Sequence, residues 1–288
     1  MATTQKNTTQ KTTTRKKRTT TTHPTTPSPK KCIIVIARFQ EKLDWITTAP
    51  YNKFNLIIYN KGNNDDFTKT DKILEIINLP NIGRESHTYL YHIINTHKKY
   101  NPEITAFFPG SLESKFKRND SLLILRLLES TAYKKSVFVG QIHDDAQLEE
   151  QLNLTETKYS SSHQLNKKHI PTSTVFPAKY RPYKNWLKNM KLKITNFITF
   201  YGTFSLHRTV INKYNSAYYT ALINQLQPPK LTPKSLVNYS NPETGFFFER
   251  SWATIFYSPK NILYDWKLEQ QVSQKTEPNV FFKSADTI

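Results

Sequence analysis

The chain has 288 residues, 41 Lys and Arg against 22 Asp and Glu, and a formal net charge of +19, a size that suits one large domain or two small ones. Such a balance attracts polyanions, whether nucleic acid, an acidic membrane surface or a phosphorylated small molecule, without choosing among them. A single cysteine, Cys32, excludes an intrachain disulfide framework and a cysteine-built zinc site, and no apolar run approaches the roughly 20 residues that span a bilayer.

Residues 1–31 read as a disordered tail. The stretch "TTTRKKRTTTTHPTTPSPKK" is rich in Thr, Lys and Pro and has too little to bury to offset its ordering entropy. The tail holds eight Lys and Arg and no acid, and removing those eight charges still leaves +11. Its "RKKR" is either a localisation or nucleic-acid patch or part of a solubilising arm, so nonspecific nucleic-acid or acidic-membrane contact is open. The lone cysteine and the lack of an apolar leader suit a soluble cytoplasmic protein, with nuclear or peripheral membrane association also open.

Order begins at "CIIVIARF" (32–39), a short β-branched run that predicts a buried strand. Further strands are expected at "NLIIYNKG" (55–62), "EITAFFPG" (103–110) and "SVFVGQ" (136–141), with helices at 70–77, 84–98 and 119–131 between them. The alternation predicts an α/β fold, a mostly parallel Rossmann-like sheet flanked by helices. One domain is expected over 32–260, with 140–195 as a variable connection and 261–288 as an extension. Ligands bind beyond the carboxyl ends of such strands, which puts the loops from Arg38, Asn60 and Pro109 on one rim.

The stretch "NIGRESHTYLYHII" (81–94) starts a helix at a glycine. At about 100° per residue, Tyr89, Leu90, Ile93 and Ile94 share one face, while Arg84, Thr88, Tyr91 and Asn95 lie opposite, with Glu85 and His92 beside them and His87 at the border. Free N–H groups of a first turn form an anion site, and Arg84 adds a bidentate donor. A solvated entry turn explains the same residues.

Between Glu156 and Glu243 there is no acid and there are 13 Lys and Arg, so this half presents a positive surface. Within it "YKNWLKNMKL" (183–192) spaces Trp186, Leu187 and Met190 helically among lysines, either a membrane-surface helix or an ordinary surface one. A carboxylate base must come from the first half or from Glu243 onward.

The segments "IVIARFQEKLDWI", "IIYNKG", "LPNIGRESHTYLYHII" and "FFFERSWATIF" occur in an order that resembles the domain of unknown function 3431 family, over roughly residues 32–257. That family is similar to nucleotide-sugar glycosyltransferases of the GT-A type. The resemblance implies a GT-A-like fold, a nucleotide-sugar donor and a glycan or protein acceptor. It also implies a polar turn after the first strand, with Ala37, Arg38 and Glu41 near the nucleotide. Metal-dependent GT-A enzymes carry an Asp-x-Asp pair after a central strand, where this chain has "FFPGS" (107–111). The diphosphate charge then falls to Arg84, Lys61 and the basic second half, or catalysis is absent. His143, Asp144 and Asp145 offer an alternative site for a divalent metal, manganese or magnesium, or else a solvated loop; no metal ligand is assigned.

Glycosyl transfer needs a carboxylate that takes the acceptor proton and cations that steady the departing diphosphate. In a helix over 246–256, Glu249 borders a stripe of Phe248, Trp252, Ile255 and Phe256. A half-buried carboxylate beside aromatics suits a general base, though pairing with Arg208 or Arg38 would use it structurally. The expected binding set is Ala37, Arg38, Glu41, Asn60, Lys61, Gly62, Gly83, Arg84, Glu85, His87, Gly202, Arg208, Arg250 and Trp252, with Glu249 catalytic. Trp252 stacks on a sugar or packs in the core. Walker, dinucleotide, nucleophile-elbow and zinc-protease signatures are missing from the sequence. The alternatives to a glycosyltransferase are a non-catalytic descendant of that fold and a nucleic-acid-associated basic protein.

Overall fold

The computed structural model describes residue 1, residues 31–154 and 175–266, and the backbone of residues 283–284. The tail expected before Lys31, part of the 140–195 connection and most of the final extension lie outside the described residues.

One mixed sheet organises the chain, in the order β3-β2-β1-β4-β6-β5-β7-β8. Its strands are β1 (Cys32–Arg38), β2 (Asn55–Asn60), β3 (Ile73–Asn78), β4 (Ile104–Pro109), β5 (Val137–Ile142), β6 (Phe197–His207), β7 (Ile262–Asp265) and the short β8 (Lys283–Ser284). β1 pairs parallel with β2 and β4, β2 with β3, and β5 with β7. β6 runs antiparallel between β4 and β5, and β8 antiparallel to β7. The sheet thus continues past residue 260 through β7.

Every residue of β1 is buried, because the strand is covered on both faces, as its unbroken apolar run implies. Ile33, Val35 and Ala37 enter one core, and Cys32, Ile34 and Ile36 the other, the period-two alternation of a strand. The first core takes in helices α1 (Arg84–Asn95), α5 (Tyr183–Asn189), α7 (Ser216–Ile223) and α9 (Glu243–Ile255). The second takes in α3 (Lys115–Ser130) and two 3-10 turns, Asp44–Thr47 and Tyr51–Lys53. The short helices α2 (His97–Tyr100), α4 (Asp145–Leu152), α6 (Arg208–Ile211) and α8 (Pro233–Ser240) complete the described set.

One expectation fails here for a local reason. Residues 70–77 are not a helix; Ile73–Asn78 form the edge strand β3. The run "ILEII" fits either period, and pairing with β2 decides for a strand. The "YGTFSLHR" segment (201–208) supplies the second half of β6, as far as His207, and the register of β6 against β5 shifts between Phe138 and Gly140.

From β1 the chain steps through β2 to β3 on one side, then returns to place β4 on β1's other side. The β1–β4 boundary is therefore a switch point, where loops leave in opposite directions and open a crevice beyond the strand ends.

Candidate functional site

The floor of that crevice is built by Arg38, which is 1 % exposed. A guanidinium has five N–H donors, and all are used. Nε donates to the Glu41 carbonyl, Nη1 to Asn60 Oδ1 and the Asn64 carbonyl, and Nη2 to Asn64 Oδ1 and the Asp66 carbonyl. The guanidinium also lies 4.5 Å from the Phe67 ring centroid. Arg38 and Asn60 thus tie the loops after β1 and β2 together, and none of the three guanidinium nitrogens is spare for a ligand. Gly62 makes this possible, since a Cβ there would meet the Phe39 carbonyl oxygen at 1.7 Å. Glu41 turns back on its own loop, its Oε2 accepting from the N–H groups of Phe39 (2.6 Å) and Gln40 (3.1 Å). The Gly110 N–H donates to the Ala37 carbonyl at 2.7 Å, which joins the β1 and β4 loops.

The Gly83-Arg84 turn stands on the same rim. Gly83 (φ 62) and Arg84 (φ 51) are both left-handed, which strains a residue with a side chain and is found at sites where surroundings fix it. Two contacts fix it here. Lys61 Nζ donates to the carbonyls of Ile82 (2.6 Å) and Arg84, and the Gly83 N–H donates to the Tyr239 carbonyl at 2.7 Å. Burial lowers the Lys61 ammonium from its ordinary 10.5 to about 7, with Glu85 opposing the shift and Arg84 adding to it.

The held turn aims Arg84 into a charged cluster. Its Nη1 donates to Asn241 Oδ1 (3.0 Å), its Nε lies 3.6 Å from Glu85 Oε2, and its Nη2 lies 3.9 Å from Glu249 Oε2. The guanidinium stacks 4.0 Å from the Phe246 centroid. Glu249 Oε1 accepts the Tyr201 N–H at 2.7 Å, at the kink of β6 where Tyr201 (φ 63) and Gly202 (φ 62) are also left-handed. Gly202 leaves room for Glu85, whose Cγ would be 2.8 Å from a Cβ there.

Lys117, on the first turn of α3, completes the group, with Nζ donating to Ser111 Oγ at 2.8 Å. Burial lowers its pKa, while Glu85, Glu249 and Glu41 pull it back up. Two cations and three carboxylates therefore share one electrostatic environment beyond the ends of β1 and β4. Glu85 Oε1 and Arg84 Nε are buried without a hydrogen-bond partner among the described residues, an arrangement that a polar ligand would complete. Sequence reasoning missed Lys117, because it sits outside every conspicuous segment; only the α3 entry brings it here.

The family profile described as Protein of unknown function (DUF3431) matches residues 33–267. The chain belongs to the DUF3431 family. No curated protein and no solved structure matches it. The DUF3431 region runs from β1 through β7 and contains every residue of the charged cluster.

Of the remaining expected site residues of this DUF3431 chain, Trp252, Arg208 and Arg250 lie elsewhere, and His87 is buried beside the Gly83 turn. Trp252 is fully buried, its ring 4.8 Å from Phe204 and 5.9 Å from Phe256; it packs in the core and offers no sugar platform. Arg208 follows the end of β6 that pairs with Ile104, at the amino end of β4, so it is across the sheet from the rim. Arg250 Nε donates to Gln151 Oε1 at 3.1 Å on α4, away from Arg84. His87 is buried, with its pKa pushed down to about 3 by burial and by nearby Lys61. Thr88 and His92, expected on the open face of α1, are 0 % and 1 % exposed, because α7, α9 and the sheet enclose the helix. The "YKNWLKNMKL" helix also buries its apolar face, with Trp186 centred 5.1 Å from Phe248, leaving none for a membrane. Asp144 caps α4 in a capping box with Gln147, a structural role for the middle residue of the "HDD" triplet. Among the described residues no group of three or more His, Cys, Asp or Glu could hold a metal ion, and no helix is long and apolar enough to cross a membrane.

Proposed function

We propose that the protein is a glycosyltransferase that uses a nucleotide-sugar donor, on a GT-A-like fold. The observation that carries this is the 3.9 Å approach of Arg84 to Glu249 at the β1–β4 switch point, within the electrostatic reach of Lys117. Support for the GT-A-like reading comes from the parallel β3-β2-β1-β4 unit and the polar turn that follows its first strand.

In this reading Arg84 and Lys117 face the diphosphate, where fixed cations in a partly desolvated site stabilise the charge that develops on the leaving oxygen. Glu249 takes the proton from an acceptor hydroxyl. The freed oxygen bonds to the anomeric carbon as the carbon–oxygen bond to the diphosphate breaks, and the diphosphate leaves with that electron pair. Glu249 is held for the task through one oxygen by the Tyr201 N–H, and its other oxygen faces Arg84. The diphosphate charge is assigned to Arg84 and Lys117, and no step is assigned to manganese or magnesium.

Full internal pairing of Arg38 favours a second reading, a non-catalytic descendant that binds a nucleotide without turnover. Calorimetric titration with uridine diphosphate and uridine diphosphate sugars, followed by an assay for released uridine diphosphate, tests both. Binding with release supports the enzyme, binding without release supports the second reading, and no binding of any nucleotide overturns both.

A further inference from the structure

A second concavity opens beside the charged cluster. It is a hollow of about 450 Å³, within the usual range of small-ligand sites, roughly 300–1,000 Å³. Its apolar wall is aromatic. Phe116 stacks on Tyr201 with centroids 6.2 Å apart and planes 20° apart, and Tyr201 lies 5.6 Å from Trp266. Trp266 is fixed in orientation, because its Nε1 donates to Asp120 Oδ1 at 3.1 Å and Phe200 stacks behind it at 5.5 Å. Asn119, Asp120 and Arg126 supply polar groups around these rings.

Two features separate this hollow from ordinary packing. Phe116 is 66 % exposed, although a phenylalanine gains most by burial, and it sits one residue before Lys117 on the first turn of α3. Tyr201 is shared between hollow and cluster: its ring lines the hollow, while its N–H is held by Glu249 Oε1 at 2.7 Å. A molecule resting on these rings therefore lies next to the carboxylate proposed as base. A sugar ring matches the lining, since its apolar C–H face lies flat on an aromatic plane while its hydroxyl edge meets amide, carboxylate and guanidinium groups.

We propose that the Phe116–Tyr201–Trp266 hollow is the subsite that seats the acceptor sugar. As an acceptor subsite this rests on the glycosyltransferase reading; as a carbohydrate-binding site it stands alone. The hollow gives an internal reporter. Of the four tryptophans, Trp45, Trp186 and Trp252 are 2 %, 1 % and 0 % exposed, whereas Trp266 is half-buried, so quenching by acrylamide reads mainly Trp266.

The full-length protein is titrated with cellotriose, chitotriose, mannotriose and, as a rival, a tyrosine-rich peptide, following tryptophan quenching without nucleotide. Protection by at least one sugar is expected. That protection should be absent in Trp266→Phe and weakened roughly 2- to 13-fold in Phe116→Ala, the range for losing one aromatic contact. Phe116 is exposed, so its removal leaves the fold intact. Protection by the peptide alone, by no sugar, or equally in Phe116→Ala overturns the proposal. Sugar protection in a protein that binds no uridine diphosphate keeps the carbohydrate site and removes the transferase reading; nucleotide binding without sugar protection does the reverse.

Discussion

Arg84 and Glu249 come from distant parts of the chain, yet the guanidinium Nη2 stands 3.9 Å from Glu249 Oε2. Both side chains are largely withdrawn from solvent, with exposures of 23 % and 12 %. The contact is long for an ion pair, and Asn241, Glu85 and Phe246 hold the guanidinium from other sides. A cation held firmly near a carboxylate, without closing on it, leaves both groups able to act on a third.

Arg84→Ala should weaken uridine diphosphate binding roughly 10- to 150-fold, the equivalent of about 1.5–3 kcal/mol for a charge-assisted contact. Arg84→Lys should restore only part of it, since an ammonium lacks the planar fork. The melting temperature of the alanine variant should also fall, because Glu85 and Glu249 lose their nearest cation. Calorimetry and melting curves on the same samples measure both effects. A folded Arg84→Ala protein with unchanged affinity would remove the phosphate role.

Glu249→Gln preserves an oxygen for the Tyr201 N–H and removes the negative charge. If Glu249 is the base, transfer should fall about 10²- to 10⁴-fold, while nucleotide affinity stays the same or rises slightly. A time course of uridine diphosphate release with acceptor present separates this from a structural role, in which affinity and stability fall together.

Much of the sheet was legible in the sequence because β1, β2 and β4 are continuous β-branched and aromatic runs ended by Arg38, Asn60 and Pro109. The rim followed from the parallel order those runs imply. β3 was not legible, since "ILEII" fits both periods. β6 was obscured by its own kink at Tyr201 and Gly202. Trp252 and Arg250 misled for one reason: a stripe on α9 does not say which neighbour covers it, and β6 and α4 do. Lys117 gave no local signal, because its place depends on where α3 starts relative to Ser111.

Gly83→Ala should destabilise the protein without touching the charged groups. A Cβ there would lie 2.6 Å from His87 Cβ and 2.9 Å from both Leu226 Cβ and the Leu226 carbonyl oxygen. The left-handed φ adds about 1–2 kcal/mol and overpacking about 1–3 kcal/mol. At roughly 2–4 °C per kcal/mol for a chain of this size, thermal melting should show a drop of several degrees. The exposed Lys115→Ala serves as a control that should leave the melting temperature in place.

Lys61 should make stability depend on pH in a predictable direction. Its pKa falls from the ordinary 10.5 to about 7 because burial disfavours the charge. Between these values the unfolded chain keeps a proton that the folded chain has lost. The unfolded state therefore binds more protons, and stability rises with pH, by up to about 1.4 kcal/mol per unit. As pH falls toward 7 this contribution is lost, and below it the residue adds no further slope. Urea melts of wild type and Lys61→Met at about pH 7 and pH 9 isolate the effect, since groups common to both proteins largely cancel in the difference. Wild type should gain about 2 kcal/mol on the variant across that interval. The methionine also leaves the Ile82 and Arg84 carbonyls without their donor, a loss that offsets the two curves without tilting either. A parallel pair of curves would mean that Lys61 keeps its proton to pH 9, as a permanent cation clamped under the Gly83-Arg84 turn.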